Sequence, residues 1–251
     1  SVKSVEVSST FPAWLCKEIE KRKIRVRCKE GSFYPERMRK TDDEIKMIEE
    51  SCRVAEEATR IAVEMIKKSE VRSGFLYYNG DILSSERIKR EINIFMAGEG
   101  FDPAGPIVAG GDQACDPHNS GTGPLKPHEP IVLDIFPRSM KTLYWADMTR
   151  TVIKGKPTPE QKRIFDTVLE GQTMGIKMVK SGASGRKIHT SIQKLFQERG
   201  YKTEKRGDRM VGFIHGTGHG VGLDIHEPPR ISNVSARLQS RMVVTVEPGL
   251  Y

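Results

Sequence analysis

Three features of the chain point to an α+β domain. Two rounds of amphipathic helices are each followed by strands, and in each round the polar chemistry sits on the strand segments. In addition, residues 215–227 read HGTGHGVGLDIHE and hold three of the six histidines among closely spaced glycines. Backbone so rich in glycine turns tightly or admits close neighbours, which suits neither a regular helix nor a regular strand. Helices on one side of a sheet, with a site on the other, accommodate all three features.

Residues 1–35 hold a short apolar helix candidate (Phe11, Trp14, Leu15, Ile19), a basic strand within KRKIRVRCK and a turn-like GSFYP. That is too little for a core, so the segment reads as a remnant or extension of an amino-terminal domain, and residues 36–251 as the main domain. Thr41-Asp42-Asp43-Glu44 is a capping box whose acidic turn suits the positive end of a helix dipole. Behind it Ile45, Ile48, Cys52, Ala55, Thr59, Ala62 and Ile66 recur in steps of three and four, forming one buried stripe. A second helix, over residues 85–97, presents Ile88, Ile92 and Phe95 and stops at Gly98 and Gly100.

Residues 105–111 (GPIVAGG) read as a short strand between breakers, followed by a long polar loop carrying His118 and His128. An apolar strand over 131–136 is interrupted by Asp134. The next strand, 144–153, puts Trp145, Asp147, Thr149 and Thr151 on one face, and the two form a hairpin. Thr158-Pro159-Glu160-Gln161 caps another helix, with the apolar run Ile164, Phe165, Val168, Leu169, Met174, Met178 and Val179. A helix over 184–199 stops at Gly200, and residues 241–247 form a last strand ending on Glu247.

With 251 residues the chain can bury a full core, and it has no apolar run near the length of a bilayer. The N-terminus lacks the layout of a secretion signal, and four scattered cysteines fit a reducing compartment, so the expected location is cytoplasmic. Residues 1–40 carry +6 of the net +8. A nucleic-acid patch is one reading of residues 21–29. A solvated amphipathic strand, Ile24, Val26 and Cys28 alternating with Arg25, Arg27 and Lys29, is the preferred one, because no aromatic or glycine-rich nucleic-acid motif accompanies it. No nucleic-acid or membrane partner is expected.

A carboxylate within an apolar strand, such as Asp134, needs a cation, a hydrogen-bond cage or a proton, and Glu247 poses the same problem. Asp147 alone would be satisfied by Arg150. Together these acids and the histidine cluster supply oxygen ligands plus imidazole, a set suited to zinc, manganese, cobalt or iron, with several carboxylates favouring two divalent ions. The absence of thiolates speaks against structural zinc. There is no GxSxG elbow and no Walker lysine, which leaves serine-nucleophile and nucleotide sites unsupported.

Asp134 with D-M-T-R-T (residues 147–151), then HGTGHGVGLDIHE, then TVEPGLY (residues 245–251), resembles the pita-bread metallopeptidases, on the aminopeptidase P and prolidase side of that family. The resemblance covers roughly residues 36–251. It implies pseudo-symmetric helices outside a curved antiparallel sheet, with two divalent ions (Mn, Co or Zn) in the concavity. It further implies that Asp134 chelates one ion, Asp147 bridges both, and His219 and Glu247 bind the other. Glu247 would also accept a proton from water, while His118, His215 and His226 would face the substrate. His128 and His189 match nothing in the pattern and read as surface residues. The implied activity is removal of the N-terminal residue from Xaa-Pro peptides, with a homodimer allowed. Arg230 reads either as a substrate-carboxylate partner or as a surface charge.

The chain departs from the family pattern in three places. The two aspartates are thirteen residues apart, implying a longer hairpin loop. Gln239-Ser240-Arg241 replaces a usual Pro-Gly. The family's fifth ligand, a glutamate after the EPG turn, lies past Tyr251. The expectation is of a catalytic-domain fragment that, as written, holds two ions weakly and turns over little. Two rival readings are a non-catalytic pita-bread module binding peptide, protein or nucleic acid, and a metal-free hydrolase of the creatinase kind; the intact carboxylates count against both.

Overall fold

Two helices, Ser85–Gly98 and Gly185–Glu198, start one hundred residues apart and are built alike. A serine caps each: Ser84 accepts the Arg87 N–H and Ser184 the Lys187 N–H. Each first turn is tied to a distant loop, Ser85 N–H to the Gly123 carbonyl and Gly185 N–H to the Ala236 carbonyl. Each helix is followed closely by a glycine in the left-handed region, Gly100 (φ +82°) and Gly200 (φ +95°). The two expected rounds are thus repeated in backbone detail.

In the computed structural model, which describes residues 2–251, the chain separates into two units, Ser1–Met38 and Arg39–Tyr251. In the first, β1 (Ser4–Ser8) and β2 (Arg25–Lys29) pair in parallel and α1 (Ala13–Lys21) joins them. Arg25 and Arg27 stand in solvent and Val26 is half-buried, as a solvated amphipathic strand requires. Cys28, expected on the inner face, is exposed.

Arg39–Tyr251 opens with α2 (Asp42–Lys68), whose capping box is complete: Thr41 Oγ1 accepts the Glu44 N–H and the Glu44 carboxylate accepts the Thr41 N–H. Ile48, Ala55, Thr59, Ala62 and Ile66 are buried along its stripe, while Ile45 and Cys52 are half-buried. A meander of β3 (Glu70–Arg72), β4 (Phe75–Tyr78) and β5 (Asp81–Ile82) leads to α3 (Ser85–Gly98). Next come β6 (Phe101–Asp102), β7 (Ile107–Gly110), β8 (Pro130–Ile135), β9 (Arg138–Ser139) and β10 (Met148–Ile153). β8 lies between β7 and β10 in an antiparallel sheet, and β6 pairs with β9. Val54, Ile66, Ile88, Ile92 and Met96 pack with Val108, Leu133 and Ile135 into the first core. Each such side chain contributes about 1.5–3 kcal/mol by burial.

The second round comprises α4 (Pro159–Met178), α5 (Gly185–Glu198), the hairpin β11 (Glu204–Arg206) and β12 (Arg209–Val211), and the antiparallel pair β13 (Gly218–Gly220) and β14 (Glu227–Ile231). Its core gathers Ile188, Ile192, Phe196, Phe213, Ile231 and Leu238. Among the described residues no helix is long and apolar enough to cross a membrane.

Two strands differ from expectation. The hairpin's second strand begins at Met148 rather than 144, because residues before it are paired elsewhere: Trp145 N–H goes to the Gly222 carbonyl and Ala146 N–H to the Pro137 carbonyl. The last segment, 241–247, is not a regular strand: Arg241 sits in a turn (φ +69°) and Val244 makes a single bridge to Gly220. It runs antiparallel to β13 through Val221 N–H to the Val243 carbonyl, Thr245 N–H to that of His219 and Glu247 N–H to that of Thr217. The return bond from His219 N–H goes to the Thr245 hydroxyl (3.0 Å) instead of a carbonyl, which interrupts the ladder.

Candidate metal centre

The first round supplies Asp134 and Asp147, and the second supplies His219, His226 and Glu247. Asp134 lies in β8 directly opposite Thr149 of β10, whose hydroxyl donates to Asp134 Oδ1 at 2.7 Å. Asp147 precedes β10 by one residue. At the centre of β13, His219 shares a hydrogen bond between Nδ1 and the Gly220 carbonyl (3.0 Å). With that nitrogen committed, Nε2 points to Asp147 Oδ2 (3.3 Å) and Glu247 Oε1 (3.0 Å). Thr245 donates to the same Glu247 oxygen at 3.0 Å. The glycine spacing makes this approach feasible: a Cβ on Gly218 would collide with the Thr245 carbonyl.

One ligand atom each from Asp147, His219 and His226 lies within 4.8 Å of the others. The His219 and His226 rings stand perpendicular, with centroids 4.3 Å apart. Thus His226, which the resemblance places on the substrate side, is here also within reach of an ion. His215 bonds through Nε2 to the Tyr251 hydroxyl (3.2 Å) and through Nδ1 to the Gly216 carbonyl (2.7 Å). His118 is not brought to this cluster in contact; its side chain is 95% exposed, 4.0 Å from Asp116.

Burial is the largest single influence on every shifted group here, and the neighbouring charges and hydrogen bonds come second. Burial, reinforced by the Asp147 charge, pushes the Asp134 carboxyl up to about 7. Burial alone would lower His219, but hydrogen bonds to Asp147 and Glu247 outweigh it and push the imidazole up to about 10. Burial opposes ionisation of Glu247 too, yet its bond to His219 and that residue's charge leave it below the usual carboxylate range. Burial and the His219 charge keep His226 low, with Arg230 adding to the effect. Burial, with Glu247 and Asp134 nearby, raises the Tyr251 hydroxyl to about 12.

Several participants carry no recognisable signal of their own in the sequence. Thr149 and Thr245 each stand two residues from an acid, a spacing that a strand's period of two makes meaningful only once the face is known. Tyr251 sits inside TVEPGLY and is legible only as part of that motif. His189, expected at the surface, is instead buried at 3% exposure on α5, with Nδ1 3.0 Å from the Thr217 hydroxyl. Its helix is amphipathic, and residue 189 falls beside Ile188 and Ile192 on the inner face. His128 is exposed, as expected.

Residues 46–251 match the model of metallopeptidase family M24. The chain belongs to that family. It is 31% identical over 219 residues to the Xaa-Pro dipeptidase of Pyrococcus furiosus, covering 86% of this chain and 56% of the relative. With the Xaa-Pro dipeptidase of Pyrococcus horikoshii it shares 28% over 256 residues, covering 100% and 66%. The chain therefore spans between about half and two thirds of the length of these relatives. Its structure is similar to prolidase from Pyrococcus furiosus (TM-score 0.84, 28% identity, 99% of this chain and 68% of that one). It is also similar to X-Pro aminopeptidase from Thermotoga maritima (TM-score 0.79, 27% identity, 99% and 66%). The fold is accordingly the pita-bread fold of these peptidases.

The M24 residues present here suit divalent metal. Burial, with the neighbouring carboxylates, drives Asp134 toward protonation, and hydrogen bonds to Asp147 and Glu247 drive His219 toward the imidazolium. A divalent cation removes both penalties, and carboxylate oxygen with imidazole nitrogen is the appropriate donor set.

Proposed function

We propose that this chain is the catalytic part, over residues 36–251, of a metal-dependent exopeptidase that cleaves the N-terminal residue from Xaa-Pro peptides. The observation that carries the reading is the convergence of Asp147, His219 and His226 within 4.8 Å, with Glu247 on His219. Asp134, Asp147, His219 and Glu247 would hold two ions, with manganese, cobalt and zinc all compatible with these donors. When bound, such ions supply Lewis acidity to the scissile carbonyl and to water.

The chain's own groups then have separate tasks. Glu247 accepts the proton of the attacking water. His226, kept neutral at the open rim, donates a hydrogen bond to the carbonyl oxygen as charge develops on it. His215 and the protonated Tyr251 hydroxyl line the Glu247 side, where they orient the peptide. The exposed Arg230 guanidinium, close enough to influence His226, pairs with a substrate carboxylate. His118 is assigned to substrate contact from its exposed loop.

The test is hydrolysis of Xaa-Pro and Xaa-Pro-Yaa peptides by the full-length protein with and without added Mn²⁺, Co²⁺ or Zn²⁺. Metal-stimulated turnover that disappears in Asp147→Ala is expected. Metal-independent turnover, or peptide binding without hydrolysis, would overturn the proposal.

A further inference from the structure

The most deeply buried charge of Arg39–Tyr251 lies outside the cluster of acids and histidines. Lys40, just ahead of α2, is 2% exposed, and its Nζ bonds Glu227 Oε1 across 187 residues of chain. The two side chains are 1% and 6% exposed. An ion pair so placed is a poor source of stability, because apolar residues of equal size fill such space without desolvating two charges. What it does supply is a fixed point, since a buried ammonium and carboxylate in direct contact hold each other in place.

That point is next to the site. Glu227 follows His226 directly, opens β14 and pairs with Gly220, where the register shifts beside His219. The loop between them is packed onto the carboxylate: a Cβ on Gly222 would lie 2.6 Å from Glu227 Oε1. Trp145 grips the same loop, its backbone N–H on the Gly222 carbonyl (2.9 Å) and its indole N–H on that of Leu223 (3.1 Å). Lys40 is itself anchored to the segment that carries Glu247. Its N–H donates to the Arg241 carbonyl (2.8 Å), and Arg241 donates back to the Lys40 carbonyl (3.2 Å) and reaches Asp42 (2.7 Å).

We infer that Lys40 is a positioning residue: by holding Glu227 it sets where the His226 imidazole stands against His219 and Asp147. The two anchors of Lys40, on Glu227 and on Arg241, link both chain segments that flank the site, so its loss releases His226 while the carboxylates stay in place. The significance for catalysis rests on the peptidase reading. The geometric claim does not, and the experiment separates them.

Long-range ¹H–¹⁵N spectra of the histidine side chains in metal-free protein, and Mn²⁺ titration by calorimetry, would be recorded for Lys40→Met, Lys40→Arg and the neutral pair Lys40→Met with Glu227→Gln. The neutral pair avoids a stranded charge and carries the test if Lys40→Met does not fold. Expected are displaced His226 signals with His118 and His128 unchanged, and, because His226 lies within reach of an ion beside Asp147 and His219, Mn²⁺ affinity lowered at least about tenfold, with Lys40→Arg closer to wild type. A neutral pair that folds with wild-type His226 signals and affinity overturns the inference. So does one that fails to fold, since the pair would then be structural. Absence of Xaa-Pro turnover in the full-length wild-type protein would sink the peptidase reading and leave the metal-free spectra to decide on Lys40.

Discussion

His219 and Thr245 exchange two hydrogen bonds, the His219 N–H to Thr245 Oγ1 at 3.0 Å and the Thr245 N–H to the His219 carbonyl at 2.8 Å. This reciprocal pair sets the register that brings Glu247, two residues on, to Nε2 of His219. One hydroxyl therefore links a backbone irregularity to the geometry of two candidate ligands.

Thr245→Val should separate these roles. It keeps the shape but leaves the His219 N–H without an acceptor and removes the bond to Glu247, at a cost of about 1–3 kcal/mol. Urea denaturation is expected to show that loss, and calorimetry a weaker Mn²⁺ affinity, while Thr245→Ser retains most of both. Unchanged metal binding in Thr245→Val would detach the hydroxyl from the site.

Asp134 should make metal-free protein less stable as pH rises. Its carboxyl is pushed from 3.8 to about 7, so between those values the folded state holds a proton that the unfolded state has lost. Stability then declines from pH 4 toward 7 and stays reduced above it. Asp134→Asn is expected to remove this slope and to stabilise the metal-free protein at pH 8 by roughly 1–3 kcal/mol, while weakening metal binding. Chemical denaturation across pH 5–8 would show it.

Metal uptake should release protons in a pH-dependent number. At pH 8 His219, at about 10, is still protonated and must lose that proton to become a ligand. At pH 6 Asp134 is protonated as well. Calorimetry in buffers of different ionisation enthalpy is expected to give about one proton at pH 8 and about two at pH 6. Proton-free binding at pH 8 would contradict the paired state of His219.

His189 should contribute in the opposite pH direction. Burial, aided by His215, lowers its imidazole below 6.5, so below that value the unfolded chain takes up a proton that the folded chain refuses. Its contribution is complete above pH 6.5 and is lost as pH falls through the lowered folded value. His189→Leu is expected to flatten this acid slope and to leave Thr217 Oγ1 short of a partner, costing about 1–3 kcal/mol at pH 7. Measured in the Asp134→Asn background, an acid loss of stability between pH 5 and 6.5 that survives His189→Leu would place the titration elsewhere.

Helix starts were readable because they are local: Thr41 with Glu44, and Thr158 with Gln161, close their capping boxes within four residues. The apolar run of α4 was readable as a helix but not as a packing face. Phe165 and Leu169 are 51% and 48% exposed, whereas Gly171 and Gly175 lie against Phe196 and Ile192 of α5. Size alone does not say which side of a helix meets a neighbour; close approach selected the glycines.

The chain's own order of residues determined the α+β plan, the two rounds of helix and strand, and the motifs that place Asp134, Asp147, His219 and Glu247 on extended segments. These follow from periodicity and capping, which act over a few residues. Only the tertiary structure decided that His226 stands 4.3 Å from His219, that His189 is buried on Thr217, and that Lys40 reaches Glu227. Each joins groups remote in the chain or depends on which face is covered. The protonation of Asp134 and His219 is set the same way, by burial and by charges that meet only when the two halves fold together.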